Sequence, residues 1–418
     1  MLGRRLLSVL RAFLAVPAAA EELALVGARV YAAPDAAPLD DATILVRDGR
    51  IAAVGPRSLI AVPAATRVVQ ARGLVATAGF WNSHIHLITP PYHEPDAQPA
   101  ADLSKALHEQ FTRWGFTTLF DVASLPGDVR ALRARIQRGE VTGPRLLTVD
   151  MPFYPEHGTP IYVRDLWARY HVPSAEVATP AQGRVRAAAQ LDAGADGVKL
   201  FSGAIVGGAQ RVLQMPPAIG RAIVDEAHAR HKPAFAHPTD SDGLLSALDS
   251  GVDVLAHTAP DAGAWSPELV ARLKTQHVAL IPTLTLFESE PRREGAPEAV
   301  VTAFVGKAQG QLKAASEGGV DVLFGTDAGY MQIFDTRREY QLMTAAGLDW
   351  RQILASLTTT PARRFGDAAH AGRIAPGMAA DIVLLGSDPA ADAEAFADVR
   401  LTVRDGKVIH DAMADSSP

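Results

Sequence analysis

Eight short apolar runs separated by helical stretches constrain this chain more than any other feature. They fall at residues 75–80, 117–122, 145–149, 197–201, 233–236, 252–256, 278–282 and 320–324. Between most of them lie amphipathic segments, of which 217–231, 267–277 and 298–318 are the clearest. The runs are continuous rather than alternating, as parallel strands are when helices cover one side and core the other. Eight such units favour a closed barrel over an open sheet, so the expected fold class is α/β, a (β/α)8 TIM barrel. Residues 152–180, rich in aromatics and prolines, have no periodicity and read as a long loop after the third strand.

The two ends of the chain resemble each other. TILVRDGRI at residues 43–51 and LTVRDGKVI at residues 401–409 both alternate apolar and polar positions around an Asp-Gly pair, the signature of a tight hairpin. The economical reading folds both flanks into one small β-sandwich domain with the barrel inserted between them. Two unrelated edge hairpins are the alternative. The expected boundaries are 22–77 plus 370–412 for the composite domain and 78–369 for the barrel. Ahead of these, Arg4-Arg5 precede an apolar stretch at 6–16 and then Pro17-Ala18-Ala19-Ala20. That order is a secretory signal peptide over residues 1–20, with periplasmic or secreted localisation. Arg11 interrupts the apolar region, so a mildly amphipathic extension on a cytoplasmic protein stays open.

Composition narrows the function classes. With 48% hydrophobic and 21% charged residues, the 418-residue chain can bury a large core. Its net charge of −6 gives no electrostatic reason to bind nucleic acid, and no apolar run reaches the ~18 residues of a membrane span. There is no cysteine, so any metal must be held by His, carboxylate or a modified side chain. A small-molecule substrate and a homo-oligomeric state are expected.

Polar residues stand out at the strand ends. Three helices end at Gly194, Gly251 and Gly319, each followed by an apolar strand and then one polar residue, Lys199, His257 or Asp327. The C-terminal ends of barrel strands form the active-site face, so these side chains reach one rim. His84-Ile85-His86 ends the first strand, and residues i and i+2 share a face, so both imidazoles can reach one cation. His237 ends the fifth strand. Lys199 lies inside an apolar strand, which is costly unless it is paired or neutral. It either snorkels out or pairs with a structural carboxylate, or its depressed pKa lets the free amine add carbon dioxide and become a carbamate.

In its strand-end residues the chain resembles the amidohydrolase superfamily, whose binuclear members carry H-x-H on strand one, carboxylated Lys on strand four, His on strands five and six, and Asp on strand eight. The resemblance makes His84, His86, Lys199, His237, His257 and Asp327 the metal ligands. It extends to GRIAPGMAADIV at 372–383 and to Thr360-Pro361-Ala362, which has Thr where the family has Asn. Gly115-Phe116-Thr117-Thr118 and Gly143-Pro144-Arg145 are similar to the imidazolonepropionase-like and prolidase-like group. Ala78-Gly79 replaces the usual Pro-Gly, Asn82 a common Asp, and Pro155-Glu156-His157 the group's Gly-Gly-His.

The resemblance implies two divalent cations, Zn2+ by donor chemistry, sharing a water made acidic enough to attack a carbonyl. Asp327 is the proton carrier to the leaving nitrogen and His157 the substrate-binding group facing the oxyanion. From the residues alone, Tyr154 is a candidate for substrate binding that can equally lie at the surface. The expected reaction is cleavage of an amide or peptide-type C–N bond in an N-acyl amino acid, dipeptide or related amide. Lactone or phosphotriester hydrolysis on the same centre is the nearest rival, and a metal-free binding protein of this fold a more distant one. Tyr92, Arg292, Arg293 and Arg337 are open either to a substrate carboxylate or to solvent. A phosphate loop at 203–208 fails, because no Gly-Lys-Ser/Thr follows.

Overall fold

Parallel pairing organises the middle of the chain. The computed structural model describes residues 22–88, 90–209 and 211–414, so the signal-peptide reading of residues 1–20 lies outside the described residues. Phe80–Ile85 pairs with Phe116–Asp121, which pairs with Arg145–Thr148. A second parallel set runs Val198–Phe201, Ala234–His237, Val254–Leu255, Ala279–Leu280. Isolated parallel bridges Phe153 to Leu200, Leu280 to Val322 and Ile85 to Ala328 connect the sets through the eighth run. Helices such as Asp128–Gln137, Pro180–Asp192, Pro217–His228 and Pro267–Thr275 alternate with these strands, which makes the class α/β.

The strands are buried on both faces, and the polar residues within them, among them Asn82, Ser83, Thr117, Thr118 and Lys199, are buried with the apolar ones. Leu119 packs in the large cluster with helix residues such as Leu132, while its neighbour Phe120 joins Val149, Phe235, Val254, Ile281 and Leu323 in a cluster drawn from successive strands.

The run expected at 75–80 is two strands. Val75–Ala78 pairs antiparallel with Ile382–Leu385 and parallel with Leu23–Val30, whereas Phe80–Ile85 enters the parallel set. The break is at Gly79, where a Cβ would lie 2.3 Å from Thr117 Oγ1 and 2.9 Å from the Asp381 Cβ. No larger residue fits where the chain passes between the two sheets.

Both chain ends contribute to a single eight-stranded sheet. Its order is Lys407–Asp411, Val399–Arg404, Ile382–Leu385, Val75–Ala78, Leu23–Val30, Leu39–Arg47, Arg50–Pro56, with Arg67–Gln70 also on Leu23–Val30. The two Asp-Gly turns have positive φ at both residues, 50° and 72° at Asp48-Gly49 and 47° and 76° at Asp405-Gly406, as tight hairpins require. Ala380 joins them, donating to Gly49 O at 2.8 Å and accepting from Gly406 N at 3.1 Å.

The stretch expected to be a long loop is structured, and so is the segment after the seventh run. Residues 152–180 contain the helix Ile161–Arg169 and a parallel pair of short strands, Tyr154–Pro155 and Glu176–Val177. Residues 285–297 are largely the helix Leu284–Arg293. Buried Glu339 starts that helix, accepting from Leu284 N and Thr285 N at 2.8 Å each and from Thr285 Oγ1 at 2.6 Å. A partner on a distant helix supplies the cap, so nothing local announces it.

The sheet predicts its own sensitivity to truncation. Ile382, Val383, Leu384, Leu385, Leu401 and Val403 are all fully buried. At about 1.5–3 kcal/mol each, losing them forfeits roughly 9–18 kcal/mol as an upper estimate, which matches or exceeds a typical domain's stability. A chain ending at residue 371 is therefore expected to be insoluble on expression. Soluble, active protein from that truncation would contradict this role for the C-terminal strands.

Candidate metal centre

Five buried polar side chains meet at the C-terminal ends of the parallel strands. His84 Nε2 lies 3.3 Å from His86 Nε2 and 3.4 Å from Lys199 Nζ. Asp327 Oδ1 lies 2.9 Å from His86 Nε2 and 3.4 Å from His84 Nε2. The His257 ring is 4.5 Å from His84 and 4.7 Å from His237, centroid to centroid. His84, His86, Lys199, His257 and Asp327 are all buried, and His237 keeps part of its surface open to the cavity above. One ligand atom from each of His84, His257 and Asp327 falls within 4.8 Å of the others, a grouping that could hold a metal ion.

The surrounding hydrogen bonds decide which nitrogen of each ring is free. His86 Nδ1 lies 2.9 Å from Ala123 O, an acceptor only, so this nitrogen carries the proton. Thr283 Oγ1 gives its proton to Pro282 O, so His257 Nδ1, 2.8 Å away, must donate to it. Both neutral rings then present an Nε2 lone pair inward. The His86 lone pair faces a carboxylate oxygen, and neither approach to Asp327 Oδ1 is aligned as a hydrogen bond. His84 Nδ1 and His237 Nδ1 are buried with no hydrogen-bond partner among the described residues. Converging lone pairs of this kind repel unless a cation sits among them, and imidazole with carboxylate is a donor set for Zn2+ and similar ions.

Burial sets the protonation states the same way. It pushes the His84 and His237 imidazoles down to about 3, with the Lys199 charge adding to the effect, and holds His257 well below its ordinary range. Burial lowers the Lys199 amine to about 8, against the pull of Asp327 and Asp121.

Neighbouring strands hold the ligands in place. Asn82 Nδ2 donates to Thr326 Oγ1 at 2.8 Å, and Asn82 Oδ1 accepts from His84 N and Thr326 N, clamping the first strand to the eighth run. Buried Asp121 accepts from Leu87 N at 2.7 Å and fixes the chain just past His86. Asp327 itself sits at φ 57° and Thr283 at φ 46°, left-handed conformations that a non-glycine residue keeps only when its surroundings impose them.

A cavity of about 440 Å3 opens above this cluster, with His86, Lys199, His237, His257 and Asp327 on its floor and Tyr154 in its wall. The Tyr154 hydroxyl accepts from Trp167 Nε1 at 3.3 Å. His157 is not brought to the cavity: its side chain is exposed, its backbone is left-handed at φ 59°, and its N–H donates to Glu176 at 2.9 Å. Among the other residues weighed from sequence, Tyr92 donates to Gln110, Arg292 pairs with Glu298 and Arg337 with Asp335, while Arg293 does line the cavity. Phe287, Glu290, Pro291 and Glu294 of the wall escaped the sequence reading. Their i, i+3, i+4, i+7 spacing on one helix face is the signal that could have found them.

Comparison with known proteins follows the same lines. The sequence matches the Amidohydrolase family over residues 75–409. Over 115 residues, 26% of the chain, it is 30% identical to an uncharacterized protein of Mycobacterium tuberculosis (strain ATCC 25618 / H37Rv), and the match spans 30% of that curated relative's length. In three dimensions it resembles a putative prolidase from Bifidobacterium longum, at 25% identity and TM-score 0.77, covering 94% of this chain and 95% of that one. It also resembles a Xaa-Pro dipeptidase with methionine bound in its active site, at 18% identity and TM-score 0.79 over 93% and 99% of the two chains. A third likeness is A. niger ochratoxinase, at 19% identity and TM-score 0.76 over 95% and 97%. The last two likenesses speak to fold alone.

Proposed function

This chain belongs to the amidohydrolase family, and from that premise we propose that it is a metal-dependent hydrolase cleaving an amide-type C–N bond in a small-molecule substrate. The observation that carries the proposal is the convergence of the His86 and His257 lone pairs on the Asp327 carboxylate, on the floor of a cavity at the strand ends. The proposal includes a closed (β/α)8 barrel over residues 78–369, supported by the bridges that link the first and eighth runs. It also includes a composite β-sandwich domain from 22–77 and 370–412, supported by the shared apolar cluster of Leu25, Ile44, Ala76, Ile382 and Leu401.

In this reading His84, His86, His237, His257 and Asp327 hold two divalent cations, most simply Zn2+, and Lys199 joins them as a carbamate. Bound there, the cations would supply Lewis acidity that makes a water acidic near neutral pH and polarises the scissile carbonyl. Asp327 accepts the proton from the attacking water at its carboxylate and delivers it to the leaving nitrogen. Ala123 O and Thr283 Oγ1 hold His86 and His257 with Nε2 inward throughout.

The test is a substrate screen on the purified protein before and after exhaustive chelation, using N-acyl amino acids, Xaa-Pro dipeptides, uncharged aryl amides, lactones and a phosphotriester. C–N cleavage that falls with chelation and returns with added Zn2+ is the expected result. Full activity in metal-free protein would sink the reading, and cleavage of lactones or the phosphotriester alone would transfer it to the rival hydrolase.

A further inference from the structure

The cavity wall is far more apolar than a site for small charged amino acid derivatives would be. Tyr162, Trp167, Phe201, Phe287, Phe304 and Tyr330 line it. Several of these rings brace one another edge to face, Phe287 on Phe304 at 5.8 Å and Tyr162 on Tyr330 at 5.4 Å, so the apolar surface is preformed. Ile161 and Val300, 47% and 52% exposed, also line this cavity at its open side. Large apolar side chains left open to water at a cavity mark a place where an apolar ligand enters.

The charges in the lining point the same way. Apart from the strand-end cluster, the charged lining residues are Arg211 and Arg293 against Asp261, Glu290 and Glu294. Each guanidinium already has a carboxylate beside it. Arg293 Nη2 donates to Glu290 Oε2 at 2.7 Å and to the Tyr330 hydroxyl at 3.1 Å, and Arg211 Nη2 donates to Asp261 Oδ2 at 3.0 Å. A substrate carboxylate approaching either guanidinium would meet that neighbouring carboxylate, in a lining where three carboxylates stand against two guanidiniums.

Resting on the hydrolase reading above, we propose that the substrate is an uncharged amide bearing an aromatic group, and that the Arg293–Glu290 pair discriminates against free carboxylates. The aromatic group of the ligand lies against the ring-lined wall, where burial and edge contacts favour it. Glu290 is the specificity-determining residue, because it occupies the one guanidinium hydrogen-bonded both to a wall tyrosine and to a wall carboxylate.

The experiment compares two ligands that differ only at one group, N-benzoyl-phenylalanine amide and N-benzoyl-phenylalanine, by isothermal titration of the full-length metal-loaded protein. The amide is expected to bind at least tenfold tighter than the acid. In Glu290→Gln, with its melting temperature checked against the parent, the acid should gain several-fold in affinity and the ratio should narrow. An acid that binds the parent as tightly as the amide, or a parent that binds neither ligand, overturns the inference. Hydrolysis of each ligand over the course of the titration is measured separately, so absence of hydrolysis counts against the hydrolase reading alone, and a reversed ligand preference against this inference alone.

Discussion

The His84→Ala/His86→Ala protein is expected to lose most of its transition metal and at least about 10³-fold in kcat/KM, a loss of about 4 kcal/mol of transition-state stabilisation. Both rings sit on the first strand with Nε2 atoms 3.3 Å apart, and Asp327 Oδ1 lies within 3.4 Å of each, so the double change removes one side of the cluster. A purely structural role predicts something different. Two buried rings replaced by methyl groups would leave cavities and cost stability, but metal content measured on the folded protein would be unchanged. Elemental analysis beside a denaturation curve separates the two. If folded double variant keeps about two metal ions per chain, these histidines are not ligands.

The same variant carries a pH signature. His84 is buried neutral, with its folded-state pKa lowered to about 3 from an ordinary 6.5. The unfolded chain therefore takes up a proton that the folded chain refuses, and the metal-free parent should lose stability as pH falls from about 6.5 toward 3. Removing His84 deletes that contribution, so the metal-free variant should be less acid-sensitive than the metal-free parent, whatever its stability at neutral pH.

The strand-end cluster could be read from the sequence because an ionisable residue that closes a short apolar run stands out. In Ala234-Phe235-Ala236-His237 and Val254-Leu255-Ala256-His257, the histidine is the first ionisable residue after three apolar ones. The Asp-Gly turns were equally plain, since few dipeptides accept two positive φ angles. What escaped was whatever depends on distant partners. The apolar stretch from Val75 hides a change of sheet at Gly79, because both resulting strands are fully buried and the break is dictated by Thr117 and Asp381. The wall helix Leu284–Arg293 contains Pro291 and takes its N-terminal hydrogen bonds from Glu339, more than fifty residues away. His157 stands where the resemblance puts a substrate-facing histidine, but its side chain is exposed, its backbone is left-handed and its N–H is bonded to Glu176.

Lys199→Ala is expected to lower both metal stoichiometry and kcat, the latter on the order of 10²-fold or more. The bland account of this residue is a lysine that snorkels outward or pairs with a structural carboxylate. It fits the surroundings poorly: Lys199 is 1% exposed, forms no ion pair among the described residues, and points Nζ to within 3.4 Å of His84 Nε2. Burial lowers its amine to about 8. Roughly a tenth is then unprotonated at pH 7, and only that form can add carbon dioxide, giving a carbamate anion and releasing one proton. A carbamate removes the buried positive charge and supplies two oxygens where the imidazoles converge. If that is its role, formate or propionate added to Lys199→Ala should restore part of the metal and part of the turnover by filling the vacated space with a carboxylate. Lys199→Glu should outperform Lys199→Ala without any additive, since it keeps an anionic oxygen pair nearby. Metal loading of the parent should also be faster with bicarbonate at pH 8.5 than at pH 6.5, where nearly all of the amine is protonated. Lys199→Ala protein that kept two metal ions and near-normal turnover would make the lysine structural and remove the bridge between the cations.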